Sequence, residues 1–329
     1  MTIGLYILDS HLASLFHHDA LLRHDAIKLH SPADDEIFNC MTALQWKDQM
    51  LKRQQLTTLL RNCLQPDSLP PDELISLSSR LTAYFALQSI SVQVSELQIR
   101  GQVEYESSRF LEICSALIDW YHIYYTSNSA FDQLGLIILW HTVFMNLFTN
   151  FDTLERALGR DGPNTSLEEN ISYAVTWANS ISADRCILHA QIIQDLISHT
   201  LLKVDPGLHV PHCVFQAGIA CYSAMNFRRR RYSQPQPSIA RTLADFPEFD
   251  LRSDGTGACE EGPVLFQNAI GEQLMRTMGR PRIVWQVGGD IFRQCADSLD
   301  RMGHCGNSRR FAITLMALIN PEIESWMLG

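Results

Sequence analysis

Phe131 to Pro163 read FDQLGLIILWHTVFMNLFTNFDTLERALGRDGP, and the fold class is decided there. Between Leu134 and Phe148 the apolar side chains leave almost no polar side, and a helix apolar around its whole circumference sits inside a protein. Beyond it Phe151, Leu154, Ala157 and Leu158 recur at spacings of three and four, with Asp152, Glu155 and Arg156 between them, so one face turns to water or to ion pairs. Gly159 supplies the left-handed residue that ends a helix, and Pro163 blocks a restart close behind. An unbroken helix over this stretch would be roughly 40 Å long. The expectation is a buried central pillar. Glu155 and Arg160 are placed to meet around its end, where an arginine-carboxylate pair would lock the pillar to the loop that follows.

Outward from the pillar, the flanks also read as helices. On the N-terminal side Leu5, Leu8, Leu12, Leu15 and Phe16 keep helical spacing, a helix is expected from Thr42 to Leu60, another follows Asp72 as N-cap, and a fourth runs from Leu111 to Tyr125. Alternation at Ser91 to Leu97 also fits a strand, but the context favours helix. On the C-terminal side Ser166 to Glu169 has the form of a capping box, and helices are expected at Asp184 to Leu202, Val214 to Tyr222, Val264 to Met278, Ile291 to Met302 and Ser308 to Ile319. Residues 232–263 change to Pro, Ser, Asp, Gly and Glu, the composition of a flexible insert without a packed core. With no fixed-period repeat and no run of alternating strands, the expected fold is all-α. It is an irregular multi-helix array around the long buried central helix, one domain with the insert extruded.

The chain has 329 residues, 46% of them hydrophobic, enough for a large core. Its formal net charge of -10 repels a polyanion, so the chain as a whole has no electrostatic footprint for DNA or RNA. Nine cysteines are scattered without a C-x-x-C pair, the pattern of small buried hydrophobes in a reducing compartment. The opening MTIGLYILDSHLASLF lacks the basic start of a secretory leader, and Leu134 to Phe148 is too short for a membrane span. An intracellular, soluble chain is the expectation.

Candidate chemistry is sparse. His17 with His18, and His209 with His212 and Cys213, offer metal-ligand types, but a tetrahedral zinc site needs four converging ligands, and no cysteine pair of a Cys-Cys-His-His finger is present. Asp34-Asp35-Glu36 suggests the magnesium motif of a class I terpene cyclase, an all-helical small-molecule enzyme and the alternative reading. The second ligand set is missing, because Asn146 and Asn150 are followed at their fourth positions by Asn150 and Leu154 instead of Ser or Thr. No nucleophile elbow, P-loop or dinucleotide fingerprint occurs. His141 beside Trp140 reads as a packed core histidine. No catalytic residue and no metal site are therefore expected. Arg228, Arg229, Arg230 and Arg231 form the one dense basic run, readable as a nuclear import signal, a phosphate contact or a complement to a helix dipole.

Trp140-His141, Phe144-Met145, Leu147-Phe148, Phe151-Asp152, Leu154-Glu155 and Gly159-Arg160-Asp161-Gly162-Pro163 resemble the most distinctive stretch of the fungal transcription factor regulatory domain, or middle homology region. The likeness is greater to the branch with Cys-Cys-His-His fingers than to that with binuclear zinc clusters. It extends in order along most of the chain: Ile7-Leu8-Asp9-Ser10 to Leu15-Phe16; Leu29-His30-Ser31-Pro32 with Asp34-Asp35-Glu36-Ile37-Phe38, Ala43 and Trp46; and Met302-Gly303-His304 with Arg309, Arg310, Phe311 and Ala312. The resemblance implies a regulatory domain controlling transcription by RNA polymerase II in the nucleus, and no enzyme. Its partners would be coregulator proteins, a small effector or a second copy, with no membrane. Against that family the sequence lacks the zinc finger, the linker and the first helices of the domain, as either a partial gene product or a stand-alone copy would. Zinc and DNA would be bound only by that missing finger, and the chain itself would carry no cofactor.

Overall fold

A computed structural model describes residues 2–22, 40–52, 80–99, 107–127, 134–162, 168–198, 207–228, 248, 281–303 and 307–320. Among them 85% are helical and none is in a strand, so the fold is all-α, as expected. The described helices are α1 (Thr2–Phe16), α2 (Ala43–Lys52), α3 (Arg80–Ile99), α4 (Ser108–Ser127), α5 (Leu134–Phe148), α6 (Phe151–Ala157), α7 (Glu168–Ala178), α8 (Ile181–Ser198), α9 (Val210–Phe227), α10 (Pro281–Arg301) and α11 (Ser308–Ile319). Contacts group them into two compact units, Met1–Leu136 and Ile137–Gly329, a division that the expectation of one domain did not contain.

In the first unit α1 packs on α3. Tyr6 meets Phe85 at a tilt of 41° with ring centroids 4.9 Å apart, and Val92 completes the cluster. Ser10 donates to the Gln88 side-chain oxygen at 2.8 Å inside the same contact. The face of α1 that carries Tyr6, Ser10 and Ala13 is therefore the inner one, and Leu5, Leu8, Leu12 and Phe16 stand on the outer side. The stripe that marks α1 as a helix in the sequence is not the stripe it buries. Ser91 to Leu97 is helical throughout, within α3. Trp120 of α4 donates its indole N–H to the Ala83 carbonyl at 2.9 Å.

In the second unit the expected pillar is two helices, not one. α5 and α6 are bent by 72° at a break over Thr149 and Asn150. Asn150 turns to an extended backbone, and its side-chain oxygen accepts from the Thr153 N–H at 3.0 Å, the N-cap that starts α6. A break inside a core exposes backbone groups that water cannot reach, and these need partners. α7 supplies them: the Asn150 N–H donates to the Tyr173 hydroxyl at 2.8 Å, and the Trp177 indole donates to the Phe148 carbonyl at 3.2 Å. Burial of the stretch is as expected, with Trp140, Val143, Phe144 and Met145 wholly enclosed.

α6 ends as its sequence says it should. Gly159 has φ +93°, its N–H donates to Arg156 at 3.0 Å, and the Arg160 N–H donates to Glu155 at 3.0 Å, the paired bonds of a left-handed helix stop. α8 and α9 pack against this pair of helices, and α10 and α11 pack in turn on α9. At Gly218 a Cβ would lie 2.7 Å from Leu315, so the bare backbone is what lets α9 and α11 approach. The expected N-cap at Asp72, the capping box at Ser166, Pro163, the helix at Val264 to Met278 and all of the 232–263 insert but Glu248 lie outside the described residues. Among the described residues no single helix is long and apolar enough to cross a membrane.

Candidate functional site

The polar groups of the second unit gather along α5, α6 and α8. His141 on α5 and His189 on α8 face each other with their Nδ1 atoms 2.9 Å apart, and both rings have no exposure to solvent. Such a contact needs one Nδ1–H and one Nδ1 lone pair, so the accepting ring is neutral, and two neutral rings here are of opposite tautomer. The enclosure is aromatic: Trp140 meets His141 edge-on at 4.8 Å, and Phe144 stacks on His189 at 5.2 Å. Burial pushes His141 down to about 3. Burial also holds His189 well below its ordinary value, helped by the neighbouring His141 and by the Arg185 charge. Both therefore stay uncharged near neutral pH, where they are packed polar groups with no route to a substrate.

Beside them, the guanidinium carbon of Arg185 on α8 lies over the Phe148 ring, 4.0 Å from its centroid. Its Nε and Nη2 each donate to one oxygen of Glu248, both at 2.6 Å. Glu248 belongs to the stretch read as a flexible insert, yet it is buried against α8. Next along the helix, Cys186 meets Thr149 at 2.8 Å, and burial lifts its thiol to about 12, so it is no nucleophile. Cys213 and Cys295 are raised to about 12 by the same cause. Of the described cysteines, five are buried and Cys40 is half-buried, as expected for small hydrophobes.

At the far end of α6 the family-like charges come together. Arg160 lies 2.6 Å from Asp152, 3.1 Å from Glu155 and 3.3 Å from Asp161, and Arg156 joins Asp152 at 3.2 Å. Burial alone would lower the Arg160 pKa, but its hydrogen bonds with Asp152 and Glu155 outweigh that and raise it. The Glu155–Arg160 closure read from the sequence is thus present, widened by Asp152. Gly162, also at positive φ, donates to Gly159 at 2.9 Å and continues the turn. Trp140, His141, Asp152, Glu155, Gly159, Arg160, Asp161 and Gly162 all belong to this frame.

The other sequence candidates disperse. Arg228 donates to Asp184 at 2.5 Å and to the Ala178 carbonyl at 2.9 Å, pinning the end of α9 to the end of α7 and the start of α8. Arg229, Arg230 and Arg231 lie outside the described residues, as do Asp34, Asp35 and Glu36. His18 meets the Asp19 carbonyl at 2.8 Å, and His212 packs towards Phe311 at 6.1 Å. Among the described residues no group of three or more His, Cys, Asp or Glu side chains converges as metal ligands would. An open groove of about 500 Å³ runs between the ends of α8 and α10, lined by Gln194, Ser198, Gln294, Asp297, Asp300 and Arg301. Its floor is a buried pair, Gln194 donating to Ser298 at 3.2 Å.

His189, Arg185 and Glu248 were not among the residues singled out from the sequence. His189 lies 48 residues from His141 and Glu248 lies 63 from Arg185, and no local spacing links positions so far apart. Comparison with family models, with curated proteins and with solved structures returned no match.

Proposed function

We propose that this chain is the regulatory or effector-responsive part of a fungal transcription factor that controls RNA polymerase II transcription and relies on a separate finger for DNA. One observation carries the reading. Within residues 140–162, the described residues through which the sequence resembles that family run from the buried Trp140-His141 pair on α5 to the partly exposed Arg160 cluster that closes α6. A motif that serves as a frame belongs to a domain whose product is a shape presented to partners, which is what a regulatory domain supplies. Coregulator proteins or a small effector are the partners of this reading, and the polar groove between α8 and α10 suits a small polar effector. Localisation in the nucleus belongs to the same proposal. Arg228 is committed to Asp184, so import would draw on Arg229, Arg230 and Arg231.

The test is a tethering experiment. The chain is fused to an unrelated DNA-binding domain and produced in fungal cells that carry a reporter gene behind the matching operator. The reading expects reporter transcription to rise or fall relative to the DNA-binding domain alone, and expects Arg160→Ala to weaken that effect. An unchanged reporter at equal nuclear protein level would overturn it.

A further inference from the structure

Arg185 is built to hold a carboxylate. Its side chain is only 14% exposed and its guanidinium carbon sits over the Phe148 ring, so the ring and the burial hold the fork in place. The two-pronged contact with Glu248, 2.6 Å on each side, is the geometry in which the arginine fork matches both oxygens of a carboxylate. Asp184, the acid next to it in sequence, is engaged by Arg228 instead.

The occupant tells what the site prefers. Glu248 reaches α8 from 63 residues away, out of a Pro-, Ser- and Asp-rich stretch. Around it the sequence reads Asp245-Phe246-Pro247-Glu248-Phe249-Asp250-Leu251, alternating acids with large apolar side chains. Short acidic-aromatic segments of this composition dock onto other proteins by presenting a carboxylate to an arginine. A buried arginine left without its acid is strongly destabilising, so Glu248 can leave the site only where another carboxylate takes its place.

We propose that Arg185 on the Phe148 ring is a docking site for an acidic peptide segment with aromatic neighbours. Glu248 fills it from within the chain, and a partner protein presenting the same chemistry fills it in exchange. The site does not depend on the regulatory reading, since a helical interaction module with no part in transcription would carry it equally.

The experiment uses the full chain and a fluorescein-labelled synthetic peptide of residues 242–252. Because the internal copy competes at high effective concentration, Glu248→Ala is expected to bind the peptide about tenfold or more tightly than the wild type. Adding Arg185→Lys, which keeps the charge and removes the fork, should undo that gain, and a peptide with Gln at position 248 should not bind. Equal weak binding to wild type and Glu248→Ala, or a gain that survives Arg185→Lys, would overturn the proposal. Circular dichroism checks folding of each variant. If Glu248→Ala and Glu248→Gln both unfold, Glu248 is a fixed structural carboxylate and the docking site is likewise overturned. The tethering experiment above does not touch this contact, so each reading can fail without the other.

Discussion

On α5 and α8, two imidazoles 2.9 Å apart face each other with no exposure to water, whereas at the end of α6 Arg160, Asp152 and Asp161 keep 32%, 28% and 50% of their side-chain surface. Both arrangements place polar groups against the same apolar stretch, and they do so by opposite means. The inner pair is neutral, has a single proton between its facing nitrogens, and must be satisfied because water is absent. The outer cluster stays charged because water and several partners share the work, and for that reason each of its bonds counts for less. The first should behave as a unit that is intact or broken, and the second should weaken by degrees.

Acid is the strongest way to break the comparison. His141 and His189 have their pKa values depressed in the folded chain, so below the ordinary value of 6.5 the unfolded chain binds more protons than the folded one. Stability is then fully present above pH 6.5 and falls as the pH drops towards the folded values, by up to about 1.4 kcal/mol per pH unit for each ring. Urea unfolding at a series of pH values should show that slope. Its disappearance in a variant with His141→Phe and His189→Phe would assign it to the pair.

A smaller effect is expected from His189→Ala, which empties a space between Phe144 and His141 and removes the partner of a buried ring nitrogen. Cavity and lost hydrogen bond together amount to about 3 kcal/mol, measured as the shift in unfolding free energy. At the other end, Arg160→Ala leaves Glu155, whose side chain is 9% exposed, without its arginine, and about 1–2 kcal/mol should be lost. The loss should shrink in high salt, where the histidine variant's does not. An unchanged melting temperature for Arg160→Ala would remove it from the frame. Arg156→Ala, at 46% exposure, should cost under about 0.5 kcal/mol. If it cost as much as Arg160→Ala, the charged end would be acting as a unit after all.

The outer cluster was legible in the sequence and the inner pair was not, for a physical reason. Glu155 and Arg160 are five residues apart across a glycine stop, so helix geometry alone brings them together. His141 was visible as a buried histidine, but nothing in residues 134–162 names its partner on α8. The break at Thr149 and Asn150 falls between these cases. Asn150 before Phe151-Asp152-Thr153 is an N-cap signal, outweighed in a reading that followed the apolar run through it. In α1 the apolar residues surround most of the helix, so periodicity identifies the element but not the face that meets Phe85. Arg228 was read as the first member of a basic run, and its contact with Asp184, 44 residues away, is again one that no local spacing names.

Nitrogen-detected NMR of the His141 and His189 side chains, followed from neutral pH down to acid unfolding, tests the account most directly. Two neutral rings of opposite tautomer, with neither titrating while the chain remains folded, is the predicted result. A ring that takes up a proton near its ordinary value of 6.5 in the folded chain would contradict a dry, paired interior and with it the frame on which the functional reading stands.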